Sequence, residues 1–171
     1  MKKDNWIIKA FLMTFFIALI FNGMSNVVVS KCNIFILILL SIIFVIIGII
    51  FDIIGTAVLS ANESTFHSMS SMKVKGAKES VMLIKNSNRI ASICNDVIGD
   101  ICGIVSGSVA AIIGIHLSSI IKVSSILITI IVSSLISSLT VGGKAIGKKY
   151  AIKNADKIIK FVGKIKSMFS F

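Results

Sequence analysis

The chain has 171 residues, no proline, 56% apolar residues and a mean hydropathy of +1.01. Soluble globular domains carry about 45–50% apolar residues, so an ordinary soluble domain is excluded and an integral membrane protein is expected. The net charge of +11 invites a nucleic-acid partner, but the cations fall where membrane topology needs them, which excludes that class.

Residues 1–32 open with Met1-Lys2-Lys3 and run into the uncharged stretch Ala10–Ser30. The stretch exceeds the usual 7–15-residue apolar core of a signal peptide and lacks a clear small-x-small cleavage site. It is expected to be a retained, extra transmembrane helix with Trp6 at the interface; removal as a signal peptide is the less favoured alternative.

Residues 33–61 form the next span. The run Asn33–Phe51 is Ile- and Leu-rich, and its length fits a membrane helix rather than a strand. Gly48, Asp52 and Gly55 share one helical stripe near its end. Asp52 is thus a candidate buried carboxylate beside small residues that admit a neighbour, unless it lies shallow enough to reach interfacial water.

Residues 62–90 are too polar to span. Asn62-Glu63-Ser64 has the residue types of a helix cap. Met69, Met72, Val81, Leu83 and Ile84 alternate with Lys73, Lys75, Lys78, Lys85 and Arg89, the pattern of one or two amphipathic helices on the cytoplasmic face. A solvated basic loop is the alternative. His67 has no partner at metal-ligand spacing.

The third span, 91–117, carries the densest chemistry. Asp96 and Asp100 sit four apart, on one face of a helix. Carboxylates within hydrocarbon cost about 3 kcal/mol or more each and commonly mark a pathway or a pair. Gly99, Gly103 and Gly107 form a small-residue ridge suited to close helix packing. The bland reading makes the whole segment a packing motif whose acids pair with lysines. The fourth span, 123–143, has a hydroxyl-rich half with Ser133, Ser134, Ser137, Ser138 and Thr140. These hydroxyls bond the preceding turn, face a partner helix or offer oxygens to a cation. Residues 150–171 read as a basic amphipathic tail, with Ile158, Val162, Ile165 and Phe169 opposite Lys157, Lys160, Lys164 and Lys166, suited to an anionic membrane surface.

Sixteen of the eighteen Lys and Arg lie at the N-terminus, in 73–89 or after 143; only Lys31 and Lys122 fall in the other two loops. The positive-inside rule then predicts four crossings with both termini cytoplasmic, in a multi-pass plasma-membrane protein. Cys32, Cys94 and Cys102 are an odd count at no metal-like spacing, so no disulfide framework follows. No Gly-x-Ser-x-Gly, His-Glu-x-x-His or phosphate-loop motif occurs, and an enzyme is not expected.

From residue 33 to about 166 the order of motifs resembles the transmembrane domain of the cyclin-M (CNNM) and CorB/CorC magnesium and cobalt transport family. Phe51-Asp52-Ile53-Ile54-Gly55-Thr56-Ala57 is similar to that family's Phe-Ser-x-x-Glu-Thr-Ala. Gly76-Ala77-Lys78 and Leu83-Ile84-Lys85-Asn86-Ser87-Asn88-Arg89 are similar to its Gly-Ala-Lys and Leu-Leu-x-x-Pro-Asp-Arg, and Asp96-x-x-x-Asp100 falls near its Asn-x-x-x-Asn. Gly143-Lys144-Ala145-Ile146-Gly147-Lys148, then Ala151-Ile152-Lys153-Asn154-Ala155-Asp156-Lys157-Ile158, match Gly-Glu-x-x-Pro-Lys and Ala-Ile-x-Asn-Pro-Glu-Arg-Ile. The resemblance implies an all-α membrane domain of three spans with a juxtamembrane helical belt, a homodimer, and a magnesium site. Carried over, that site draws on Asp52, Asn95, Asp96 and Asp100, with Gly143 and Lys144 modifying it. The serine position is Asp52, the glutamate of Glu-Thr-Ala is Gly55, and the glutamate of Gly-Glu-x-x-Pro-Lys is Lys144. No counterpart of the family's paired nucleotide-binding repeats occurs in these residues.

Two functions follow as expectations. One is a divalent-cation transporter, with Mg2+ as the bound or transported ion and the lipid bilayer as its other partner. The other is a non-transporting membrane scaffold or partner subunit in which the Lys144 ammonium fills the ion site.

Overall fold

Long uncharged runs without proline leave the backbone one way to satisfy itself in lipid, the α-helix. The computed structural model describes residues 6–29 and 33–169, with backbone alone for residues 7 and 24–29. Among them the chain is almost entirely helical and has no strand. In order, the elements are α1 (Trp6–Val29), α2 (Ile34–Ser60), α3 (Glu63–Ser71), α4 (Ala77–Lys85), α5 (Ser87–Ala91), a π-helical segment (Ser92–Gly99), α6 (Asp100–Ile121), α7 (Ser125–Lys153) and α8 (Ala155–Phe169).

Among the described residues three helices are long and apolar enough to cross a membrane: Ile34–Ser60, the continuous Ser87–Ile121, and Ser125–Lys153. The apolar stretch of α1, Ile8–Gly23, is shorter and is not one of them. Cys32 lies outside the described residues.

Contacts divide the chain into two units. The first comprises residues up to Ile49 and Val97–Gly143, and so holds the uncharged runs. Its α1 packs Met13, Ile17 and Ala18 with Phe44 around Val97, Ile101 and Val105. A second cluster gathers Leu37, Val109 and Ile113 with Ile34, Leu40 and Val132. Two glycines set close helix approaches. A Cβ on Gly114 would stand 2.5 Å from the Thr129 Cα, and one on Gly48 would stand 3.2 Å from the Cys102 Cβ. The outside is apolar, with Phe11, Phe15, Ile126, Ile131 and Leu135 more than half exposed. Such a surface suits lipid rather than water. Ser138 donates to the Leu135 carbonyl and Thr140 to that of Ile136, so these two hydroxyls of α7 bond their own preceding turn.

The second unit comprises Ile50–Asp96 and Lys144–Phe171. Its core joins Ala57, Val58, Phe66, Val81, Leu83, Ile84, Ala91, Ala151, Ala155 and Ile159. Asn62 caps α3, its side-chain oxygen accepting the Ser64 N–H at 3.1 Å. The Asn62 N–H in turn donates to Asp156 Oδ1 at 2.9 Å, tying the start of α3 to the start of α8. Helices α4 and α8 lie almost backbone to backbone. Gly76 has φ +84°, and a Cβ there would sit 2.6 Å from the Lys164 nitrogen; a Cβ on Gly163 would sit 2.6 Å from the Gly76 carbonyl oxygen. The buried Ser80 hydroxyl reaches the carbonyls of Gly76 (2.9 Å) and Ile159 (3.1 Å) across that contact.

The polar stretch 62–90 is helical rather than a solvated loop, but in three pieces where one or two helices were expected. The last long helix runs past Gly142-Gly143 to Lys153, ten residues beyond the expected end of the span. Glycines are common inside membrane helices and do not stop this one. The amphipathic tail starts at Ala155, after a turn at Asn154.

Candidate functional site

In the second unit, the α2 stripe that carries Asp52 and Gly55 is buried at both positions. Asp52 is 2% exposed. A charge buried so deeply needs compensation nearby, and part of it comes from α7: Lys148 Nζ stands 3.8 Å from Asp52 Oδ1. Half of the Lys148 side chain remains exposed.

One turn along the stripe, Gly55 makes room for the π-helical segment. The Asn95 side chain lies directly over it; a Cβ on Gly55 would overlap Asn95 Oδ1 and stand 2.7 Å from Asn95 Cγ and 3.1 Å from the Cys94 Cβ. Among the described residues, Asn95 Oδ1 is buried and accepts no hydrogen bond. An amide oxygen in that condition is costly. π-Helical turns are rare and occur frequently at functional sites; this one spans Ser92–Gly99 and carries Cys94, Asn95 and Asp96.

The remaining sequence candidates are placed as follows. Asp96 is exposed and shares a shallow groove with Leu59, Asn88, Ser92 and Asn95. Asp100 is the exposed first residue of α6. Lys144 is half-buried, and a Cβ on Gly143 would press on the Ile49 side chain. Of the glycine ridge, Gly99 is buried, its carbonyl 3.5 Å from the Cβ position of Gly48. Gly103 and Gly107 have nothing within 4 Å of a would-be Cβ among the described residues. They line a groove of about 150 Å³ with Ser106, Ser137 and Thr140. His67 Nε2 lies 3.2 Å from Glu63 Oε1 on its own helix.

No three His, Cys, Asp or Glu side chains gather into a metal-holding group among the described residues.

Lys148 and the π-helical segment were missed from the sequence alone. Lys148 had a visible signal, since it lies one turn beyond Lys144 on the same helix face. The π-helical segment left no such signal in its residue spacing. The chain matches no known family model, no curated protein and no solved structure.

Proposed function

We propose that the chain is an integral membrane protein of the magnesium/cobalt divalent-cation transporter type, with its cation-handling site at Asp52 and Asn95. The observation that supports this most is the buried Asn95 amide oxygen without a hydrogen-bond partner among the described residues, over the same α2 stripe that buries Asp52. A carboxylate and an unspent amide oxygen are the donor types that hard cations take. In this reading Lys148 is a tethered counter-ion that an arriving cation replaces. The accompanying topology has α1 as a fourth crossing, both termini in the cytoplasm and α3 to α5 as a juxtamembrane belt in a plasma-membrane homodimer.

A second reading is favoured by the Lys148–Asp52 pair itself. A lysine ammonium that fills the site permanently makes the chain a non-transporting scaffold or partner subunit; Lys148, one turn from Lys144, then joins Lys144 as a source of that charge.

Thermal melting of the purified full chain across magnesium, cobalt and calcium titrations separates the two. A ligand that binds only the folded state raises its stability as RT ln(1 + [L]/Kd). A saturable rise in Tm with magnesium or cobalt that Asp52→Asn abolishes is expected for the transporter. A flat titration in the wild type overturns it in favour of the scaffold.

A further inference from the structure

Helix α8 has three faces. Ala155, Ile159 and Gly163, at i, i+4 and i+8, are buried, with Gly163 against α4. Lys157, Lys160 and Lys164 cluster on the opposite side and are exposed. Beside the lysines, away from the buried face, runs a stripe that packing on α4 does not use: Phe161 is 65% exposed, Ile165 40% and Met168 62%. A helix needs one apolar face to dock on its own protein; α8 has a second, lying beside its lysines. That arrangement defines an interfacial helix, whose apolar side chains enter the acyl boundary while the lysines reach headgroups.

We infer that the Phe161/Ile165/Met168 face of α8 binds the anionic leaflet of the bilayer that the long helices cross, with Lys157, Lys160 and Lys164 reading its acidic headgroups. Charge complementarity selects this occupant. Three lysines border the stripe, and juxtamembrane basic residues are drawn to anionic lipid. Continuity supports it: α8 follows the membrane-length helix α7 after a break at Asn154 alone. A second copy of this face would bring lysines against lysines, which disfavours self-association there.

The test uses the full chain in lipid nanodiscs of phosphatidylcholine, with and without phosphatidylglycerol. Trp6 is the chain's one tryptophan, so Trp6→Phe with Phe161→Trp places a single reporter on the stripe. Met168→Trp serves as a second reporter if the first variant loses helical content or its elution position. With phosphatidylglycerol present, emission is expected to shift to the blue, to be quenched by spin-labelled lipid and to be shielded from iodide. Changing Lys157, Lys160 and Lys164 to Gln is expected to abolish that protection. Equal iodide access in both lipids overturns the inference. So does equal lipid quenching in both, which removes the headgroup dependence. Shielding from both quenchers overturns it too, and assigns the face to a protein partner.

Discussion

Lys148, exposed over half its side chain, reaches from α7 to within 3.8 Å of the nearly fully buried Asp52 of α2. Removing one partner of a buried pair strands a charge and costs about 3–5 kcal/mol, whereas exposed pairs contribute about 1 kcal/mol or less. Lys148→Met is therefore expected to lower stability by about 1 kcal/mol, nearer the exposed limit because half of the Lys148 side chain is open to its surroundings. Adding Asp52→Asn should recover much of that loss. Melting temperatures of the two single variants and the double variant measure the coupling; strictly additive effects would mean that the two groups do not act on each other.

Gly55→Ala is expected to destabilise the fold by about 1–3 kcal/mol, the usual range for forcing a methyl into a filled site. The atom in the way belongs to Asn95, so Asn95→Ala in the same chain should reverse most of the loss. Chemical denaturation in detergent reads both. A Gly55→Ala penalty that Asn95→Ala leaves unchanged would locate the clash elsewhere.

The glycines of the chain should not respond alike. Gly163→Ala drives a Cβ to 2.6 Å from the Gly76 carbonyl oxygen and should separate α4 from α8, with a clear fall in Tm. Gly103→Ala and Gly107→Ala enter open space and should hold or raise monomer stability by up to about 1 kcal/mol, as replacing a mid-helix glycine usually does. If two copies of the chain meet at the groove they line, the same pair should weaken dimerisation, read by cross-linking or light scattering, without lowering the Tm.

Asn62→Ala should cost about 1 kcal/mol through loss of the α3 cap. Because the Asn62 backbone N–H holds Asp156, loosening the cap should also expose the Asn154 turn. Limited proteolysis is expected to cut near Lys153 and Lys157 faster in this variant than in the wild type.

Topology gives the simplest discrimination. Three crossings put the termini on opposite sides of the membrane; four put them on the same side. Reporters fused in turn to each end should both read cytoplasmic if α1 crosses.

The membrane class and the positions of α2, α6 and α7 were legible from uncharged runs, because hydrocarbon forbids charge and unpaired backbone alike. The capping role of Asn62 was legible because capping is local chemistry. The length of α7 was not. Gly142-Gly143 followed by lysines reads as a stop, yet the helix continues because Ile49 closes over Gly143 and Ala151 and Ala155 still have a core to join. The seat of Asn95 over Gly55 was invisible for a related reason: it depends on a partner forty positions away. At Asp52 the burial was anticipated, and Lys148 beside it was not.

The seam between α4 and α8 also makes a statement about descent. Lysines on the outside of α8 can drift, trade places or be replaced by arginine with little penalty. At Gly76 a left-handed backbone meets a neighbouring main chain, and at Gly163 the Ser80 hydroxyl and a carbonyl fill the space of a side chain, so neither position admits anything larger than hydrogen. A divergent relative that keeps this fold should thus be recognisable by two glycines and one small hydroxyl residue, nearly ninety positions apart at their extremes, long after its hydrophobic sequence has randomised within the limits that lipid allows.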